Sequence, residues 1–227
     1  MLVHGIGMSH RYLDRLQQAL GAAGPVHAID LPGFGGLPKP GHDVDVPAMG
    51  WALAEVIASL NSGPVILLGH SMGAQWVVEA ALHRPDLVAR LAIMGPVADN
   101  AHRTLPAQMS ALILDTLREP PLANAIVFID YIRCGIPWYL VQVRHMLSYP
   151  IEQRVPLLPM PLLVIRGGRD PIAGLAWCRA LRDAAPDGAL VEIPRRHHVA
   201  QHGAARAVAS ALSAFIEGRI GSQEAVR

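Results

Sequence analysis

The sequence predicts an α/β fold with a mostly parallel sheet and helices on both of its faces. Short apolar runs alternate with longer segments of helical period, which is the pattern of repeated βα units. Most of the apolar runs end in Gly, Asp or Pro, as buried parallel strands do. With 227 residues and 52% hydrophobic content, the chain can bury one large core and still carry an insertion.

Six apolar runs are predicted as the strands of the sheet, each only a few residues long. They are Leu2–His4, Val26–Asp30, Val65–Gly69, Leu91–Met94, Leu162–Arg166 and Ala189–Ile193. Five segments of helical period lie between or after them, several of them ending at Gly or Pro. They are Arg11–Leu20, Val46–Leu60, Ser71–His83, Leu175–Ala184 and Ala204–Ile216.

One long stretch departs from this alternation. Residues 101–159 contain three helical segments and no strand pattern: Pro106–Arg118, Leu122–Arg133 and Trp138–Ser148. A proline-rich segment, Pro156–Pro161, then leads back into the next strand. We therefore predict a core of residues 1–100 and 160–227 and an inserted helical cap of residues 101–159.

Composition excludes several functional classes. The formal net charge is +1, without long runs of one sign, so the chain has no electrostatic footprint for nucleic acid or an anionic membrane. Polar residues or prolines interrupt every apolar stretch before the ~18 residues that a membrane span needs, and no secretory leader is apparent. We expect a cytoplasmic protein with a small-molecule substrate. Neither the two cysteines nor any motif has the spacing of a metal site, and we expect no metal and no cofactor.

The strongest chemical signal is the segment Gly69-His-Ser-Met-Gly73. It directly follows the apolar run Val65–Leu68 and directly precedes a helical segment, which is the strand, turn and helix setting of a G-x-S-x-G elbow. A reversal tight enough to expose the hydroxyl of Ser71 brings neighbouring backbone close together, and glycine on either side avoids the clash. The N-terminus of the following helix favours negative charge near the serine.

Two further motifs follow the first two strands. They are His4-Gly-Ile-Gly7 and Asp30-Leu-Pro-Gly-Phe-Gly35. With the elbow, they resemble the His-Gly oxyanion loop and the D-x-P-G-x-G turn of the α/β-hydrolase family, and the resemblance covers nearly the whole chain. It implies a serine hydrolase with a helical cap, in which Ser71 is the nucleophile. Asp30 lies in the turn motif, and we expect a structural role for it.

The resemblance also implies the partners of the serine, in the family order Ser, Asp, His. Asp170 follows the fifth strand in Arg166-Gly-Gly-Arg-Asp170 and is expected to orient the base, with Asp99 as the alternative. The base is expected at His198, after Pro194, and a slip of one residue would choose His197 instead.

The family's oxyanion hole is built from backbone donors. By resemblance, these are the N–H groups of Ile6 and Met72, whose apolar side chains suggest an apolar substrate neighbourhood. The cap offers five possible pocket residues, Phe128, Tyr131, Trp138, Tyr139 and Met146, and two possible anchors for an acidic substrate, Arg133 and Arg144.

We expect hydrolysis of a small to medium carboxylic ester through an acyl-enzyme. Cleavage of a carbon–carbon bond, a thioester or a lactone, or perhydrolysis, would use the same triad. A non-catalytic ligand receptor could be built on the same fold.

The beginning of the chain departs from the family pattern. Relatives ordinarily carry two antiparallel strands and a fuller first parallel strand before the His-Gly motif, whereas Met1 stands three residues ahead of His4. Two expectations stay open: a start that lies upstream, or a shortened sheet with the strand Val26–Asp30 at its edge.

Overall fold

A computed structural model of the chain describes residues 1–99, 103, 104, 106, 110 and 121–221. Six parallel strands form one sheet in the order β2-β1-β3-β4-β5-β6. The strands are β1 (Leu2–Val3), β2 (Ala28–Ile29), β3 (Val65–His70), β4 (Val88–Met94), β5 (Leu162–Gly167) and β6 (Gly188–Ile193). The predicted α/β fold with its parallel sheet is confirmed, and β2 and β6 are the two edge strands.

Nine α-helices are assigned within the described residues. They are α1 (Asp14–Leu20), α2 (Val46–Ser59), α3 (Gly73–His83), α4 (Pro121–Cys134), α5 (Ile136–Ser148), α6 (Ile151–Arg154), α7 (Leu175–Ala184), α8 (Ala200–Gly203) and α9 (Ala205–Ile216). A 3₁₀ turn at His10–Leu13 precedes α1, so the segment predicted as one helix is divided in two. The helix predicted from Ser71 begins at Gly73, because Ser71 has a left-handed backbone conformation.

The sheet separates two apolar layers, because successive side chains of a strand point to opposite faces. Along β5, Leu162 and Val164 belong to the cluster that includes α2, α3 and α7. Their neighbours Leu163 and Ile165 belong to the cluster that includes α1 and α9. Every residue of β5 is buried, which explains why the central strands appear in the sequence as uninterrupted apolar runs.

Between β4 and β5 the described residues contain helices and no strand. The helices α4 and α5 cover the predicted segments Leu122–Arg133 and Trp138–Ser148. The remaining segment, Pro106–Arg118, lies for the most part outside the described residues, and the division into core and cap stays a prediction.

No single helix among the described residues is long and apolar enough to cross a membrane. By length and composition alone, the pair Ala125–Cys134 and Ile136–Ser148 would qualify together, but the two helices are bent by 98°.

Candidate active site

The turn between β3 and α3 holds Ser71 in a strained conformation. Its φ is +58°, in the left-handed region that residues with a side chain avoid, and its N–H donates to the carbonyl of Met94 at 2.9 Å. A side chain on Gly69 would overlap the carbonyl group of Gly73, and one on Gly73 would overlap the carbonyl oxygen of His4. Both glycines of the elbow are therefore required by close backbone contacts.

The loop after β5 presents Asp170 as a fixed acceptor. Its Oδ1 accepts the N–H groups of Ile172 at 2.8 Å and Ala173 at 3.0 Å, and its Oδ2 accepts from Nδ1 of His198 at 2.9 Å. Burial acts to raise the pKa of the Asp170 carboxyl, but the charge and hydrogen bond of His198, together with the two backbone donors, hold that pKa below its ordinary value. An ionised Asp170 thus sets the imidazole of His198 with its proton on Nδ1.

Gly95, at the end of β4, provides the space for this pair. Its φ is +55°, and a Cβ built on it would lie 2.9 Å from Cε1 of His198 and 3.4 Å from Oδ2 of Asp170. The preceding residue, Met94, accepts the N–H of Ser71. The loops that follow β3, β4, β5 and β6 therefore bring the serine, the imidazole and the carboxylate to one end of the sheet, as the carboxyl ends of parallel strands do.

The competing residues lie in other surroundings. Nδ1 of His197 donates to the carbonyl of Arg169 at 3.1 Å, and its side chain is partly exposed. The carboxylate of Asp99 lies beside Gly174, 3.9 Å from where a Cβ would stand. The carboxylate in contact with His198 is that of Asp170.

The loop after β1 places Gly5 against the serine. A Cβ on Gly5 would lie 2.8 Å from Cβ and 3.3 Å from Oγ of Ser71. Nε2 of His4 accepts the N–H of Leu31 at 3.1 Å, so the proton of this neutral, buried ring is on Nδ1, which donates to the carbonyl of Gly5 at 2.8 Å. Burial lowers the pKa of His4, consistent with the neutral ring.

These contacts determine where the next N–H group points. The Gly5 carbonyl also accepts from Met8 N at 3.2 Å, and in a trans peptide the N–H of Ile6 points the opposite way from that carbonyl. Neither this N–H nor that of Met72, the residue before α3, donates to any other described residue. Both N–H groups can donate hydrogen bonds to an oxygen that develops negative charge.

Aromatic residues of α4 and α5 cover the loops after β1 and β2. Tyr131 and Tyr139 contact each other edge to face, with ring centroids 5.2 Å apart, and Tyr131 occupies the space that a side chain on Gly7 would need. The indole of Trp138 likewise occupies the space that a side chain on Gly33 would need. Of the five predicted pocket residues, Tyr131 and Tyr139 are thus adjacent to the loop after β1, and Trp138 is adjacent to the turn after β2.

The other predicted cap residues are placed differently. Met146 is buried, and its carbonyl accepts from Nε2 of Gln75 in α3 at 2.9 Å. Phe128 is 65% exposed. The guanidinium of Arg144 pairs with Asp43 at 2.6 Å, and Arg133 is exposed.

Asp30 shows the structural role expected of it. Its carboxylate accepts from the backbone N–H and from Nδ1 of His10, both at 2.6 Å, and fills the space beside Gly35. Among the residues that the structure describes, no group of three or more His, Cys, Asp or Glu side chains is arranged to hold a metal ion.

Comparison with known proteins identifies the family. Residues 1–211 match the model of the alpha/beta hydrolase family. The chain belongs to this family.

Two relatives of this α/β hydrolase are themselves hydrolases. A pimeloyl-[acyl-carrier protein] methyl ester esterase of Neisseria meningitidis serogroup B is 27% identical over 96% of this chain and 92% of that protein. An (E)-2-((N-methylformamido)methylene)succinate hydrolase of Acinetobacter baylyi is 34% identical over 45% of this chain and 39% of that protein.

Solved structures agree in fold. An esterase from Thermogutta terrifontis superposes with a TM-score of 0.81 at 21% identity, over 96% of this chain and 88% of that one. A meta-cleavage product hydrolase from Pseudomonas fluorescens gives a TM-score of 0.75 at 18% identity, over 96% of this chain and 90% of that one. The α/β hydrolase described here is an enzyme of the hydrolase class, and its relatives support ester hydrolysis.

Two residues of the site were not singled out for it by sequence reasoning. Gly95 follows β4 as an ordinary strand-ending glycine, and only its positive φ and its contact with His198 set it apart. Tyr12 lies in the 3₁₀ turn before α1, where an aromatic residue is typical of core packing, yet its hydroxyl is within hydrogen-bond distance of Gly5 N and of Nδ1 of His70, both at 2.7 Å. No local sequence signal distinguishes this tyrosine from one that packs in the core.

Proposed function

We propose that this protein hydrolyses carboxylic esters through a Ser71-His198-Asp170 triad and an acyl-enzyme intermediate. The observation that carries the proposal is the 2.9 Å contact between His198 Nδ1 and Asp170 Oδ2, beside an elbow serine with a φ of +58°. This arrangement holds an imidazole in the tautomer that can take a proton at Nε2.

Acylation follows from these positions. The Oγ of Ser71 attacks the ester carbonyl carbon while its proton passes to Nε2 of His198, and Asp170 stabilises the resulting imidazolium. The carbonyl oxygen becomes an oxyanion that accepts hydrogen bonds from the N–H groups of Ile6 and Met72. As the carbon–oxygen bond to the leaving alkoxide breaks, His198 returns the proton to it, and an alcohol departs.

Deacylation repeats the same steps with water. His198 takes a proton from a water molecule, which attacks the acyl carbon of the ester on Ser71, and the oxyanion forms again in the same position. When the tetrahedral adduct collapses, Ser71 recovers its proton from His198 and the carboxylic acid is released. No other group has to enter the proton balance of the cycle.

The surroundings of the site favour a small to medium, largely apolar substrate. The side chains of Ile6 and Met72 are buried and apolar, and the rings of Tyr131 and Tyr139 lie next to the oxyanion loop. The Neisseria relatives are named pimeloyl-[acyl-carrier protein] methyl ester esterases. We therefore propose alkyl esters of acyl chains, methyl esters included, as the substrate class, with Phe128 and Met146 at most at the margin of the pocket.

The test is labelling and turnover of purified protein with a matched pair of serine variants. A fluorophosphonate probe should label the wild type and the exposed-loop control Ser62→Ala equally, and Ser71→Ala should lose both labelling and turnover of p-nitrophenyl esters. A series of acyl chain lengths, with a lactone and a thioester beside it, identifies the preferred bond. Undiminished turnover by Ser71→Ala would contradict the nucleophile, and no turnover of any substrate by the wild type would favour a non-catalytic receptor.

A further inference from the structure

A buried chain of hydrogen bonds links the oxyanion loop to the loop of the general base. The N–H of Gly5 donates to the hydroxyl of Tyr12 at 2.7 Å, and that hydroxyl is 2.7 Å from Nδ1 of His70. The other ring nitrogen of His70, Nε2, is 3.0 Å from the backbone carbonyl of His198. Tyr12 and His70 are each only 2% exposed.

Chemistry sets the direction of every hydrogen bond in this chain. A carbonyl oxygen can only accept, so Nε2 of His70 must carry the proton that it donates to His198. Burial, and after it the charge of His198, lower the pKa of His70 to about 3, so the ring is neutral and Nδ1 is an acceptor. Tyr12 O–H therefore donates to Nδ1, and the same oxygen accepts the N–H of Gly5.

The two ends of the chain are at functional positions. At one end, Tyr12 holds the N–H of Gly5, whose carbonyl is held by His4, so both peptide groups flanking this residue are fixed. At the other end, His70 holds the backbone of His198, with the two imidazole rings 4.7 Å apart. We call the hydrogen-bonded pair Tyr12 and His70 the brace. Ser71 follows His70 directly, so the nucleophile is connected to the brace through the backbone.

We propose that Tyr12 and His70 are positioning residues, which hold the Ile6 oxyanion donor and the His198 base at a fixed separation on either side of Ser71. The inference rests on the proposed function and assigns a task to the variable residue His70 of the G-x-S-x-G segment. The hydrogen-bonding atoms of both side chains are engaged with Gly5, with each other and with the His198 carbonyl. Their effect is on geometry, and a displacement of about 1 Å in a site of this kind can cost about 100-fold in rate.

The first test compares two buried tyrosines that each lose one hydroxyl. Tyr12→Phe removes the junction of the brace. Tyr149→Phe removes a hydroxyl, on a 6% exposed residue, that donates to Glu79 of α3 at 2.7 Å and takes no part in the hydrogen bonds that join Gly5, Tyr12, His70 and His198. Tyr12→Phe leaves the N–H of Gly5 and Nδ1 of His70 without this partner, whereas Tyr149→Phe removes one of the hydrogen bonds of the Glu79 carboxylate, which keeps those from Arg154. Both variants should lower the melting temperature. We expect kcat to fall about 10-fold or more in Tyr12→Phe with KM within about twofold, and to stay within about twofold in Tyr149→Phe.

A second readout isolates the transition state. An alkyl boronic acid forms a tetrahedral adduct with a catalytic serine, and its Ki should rise in Tyr12→Phe by the factor by which kcat/KM falls. In a parallel pair, His70→Gln keeps an amide that can donate to the His198 carbonyl and should retain more of kcat than His70→Ala. A purely structural role would lower stability without this split between KM and kcat and without this rescue.

The outcomes separate the two proposals. Wild-type kcat in Tyr12→Phe, or an equal loss in Tyr149→Phe, would overturn the positioning role while Ser71→Ala remains inactive. Turnover by Ser71→Ala would instead overturn the proposed function itself.

Discussion

Nδ1 of His198 lies 2.9 Å from Oδ2 of Asp170, although 28 positions separate the two residues in the sequence. The strands that precede them, β5 and β6, are parallel neighbours, and the register pairs Gly167 with Ile193. The two loops therefore leave the sheet side by side. The order of the strands therefore brings the two residues together. The carboxylate of Asp170 is also held by hydrogen bonds from the backbone N–H groups of Ile172 and Ala173.

Replacing Asp170 by Asn should abolish most of the activity and little of the stability. The amide oxygen can still accept from Ile172 and Ala173, but its NH₂ group then faces His198 and favours the tautomer with the proton on Nε2. An imidazole in that tautomer cannot take the proton of Ser71. We expect kcat to fall by about 10³- to 10⁴-fold, measured on the preferred ester, with a small change in melting temperature.

The matched control for this variant is Asp99→Asn, because Asp99, in the loop after β4, is the alternative orienting acid considered from the sequence. Its kcat should stay within about threefold of the wild type, as is usual for a group outside the reacting set. If Asp99→Asn were the variant that lost activity, the orienting acid would have to be reassigned to Asp99.

Adjacent histidines provide a second test with a built-in control. His198→Ala should reduce turnover to the level of Ser71→Ala, because residues that act as one unit lose nearly everything when either is removed. His197→Ala removes a hydrogen bond to the Arg169 carbonyl, outside the triad, and should leave measurable activity. Single-turnover rates with a chromogenic ester distinguish the two, and a reversed ranking would move the base by one position.

The strands could be predicted from sequence because both faces of the sheet are covered. A residue such as Val164, buried whichever way it points, has to be apolar, and a run of such residues bounded by glycine has few other interpretations. The predicted bounds of the strands differ from the structure by at most three residues. The largest departures are β2, which has two residues where five were predicted, and β4, which begins three residues early at Val88.

The motifs located the site loops, and the structure adds contacts that no local pattern encodes. The hydrogen bond between Tyr12 and His70 spans 58 positions, and whether a tyrosine directs its hydroxyl to a core or to a loop does not follow from helical spacing. The same limit applies to Gly95, because its neighbour, the side chain of His198, lies 103 positions further along the sequence. The predicted pocket consists of four aromatic residues and Met146 of the cap, and residue type does not separate the exposed Phe128 from the covered Trp138.

Adding a methyl group at Gly95 tests how closely the imidazole depends on this backbone. Gly95→Ala places Cβ 2.9 Å from Cε1 of His198 and also imposes a φ of +55° on alanine, which costs about 1 to 2 kcal/mol. Gly63→Ala imposes a similar φ, +75°, with no neighbouring atom within 4 Å of the new Cβ. Both variants should lose stability in urea unfolding, and only Gly95→Ala should lose kcat, by about 10-fold or more. Equal kcat values would mean that His198 can shift without consequence for turnover.

The buried ring of His70 should make folding sensitive to acid. Its pKa is lowered from 6.5 to about 3 in the folded protein, by burial first and by the charge of His198 second. Between these two values the unfolded chain binds a proton at His70 and the folded protein does not, so the stability contributed at neutral pH is lost as the pH falls from 6.5 towards 3. For one proton the free energy of unfolding should decline by up to about 1.4 kcal/mol per pH unit. Urea unfolding of the wild type and His70→Gln from pH 7 to about pH 4 measures the difference, since other groups such as His4 titrate in both proteins. We expect the free energy of unfolding to decline more steeply with falling pH in the wild type than in His70→Gln. An equal decline in the two proteins would show that folded His70 takes up the proton as readily as the unfolded chain does. In that case Nδ1 of His70 is not held as the acceptor of the Tyr12 hydroxyl.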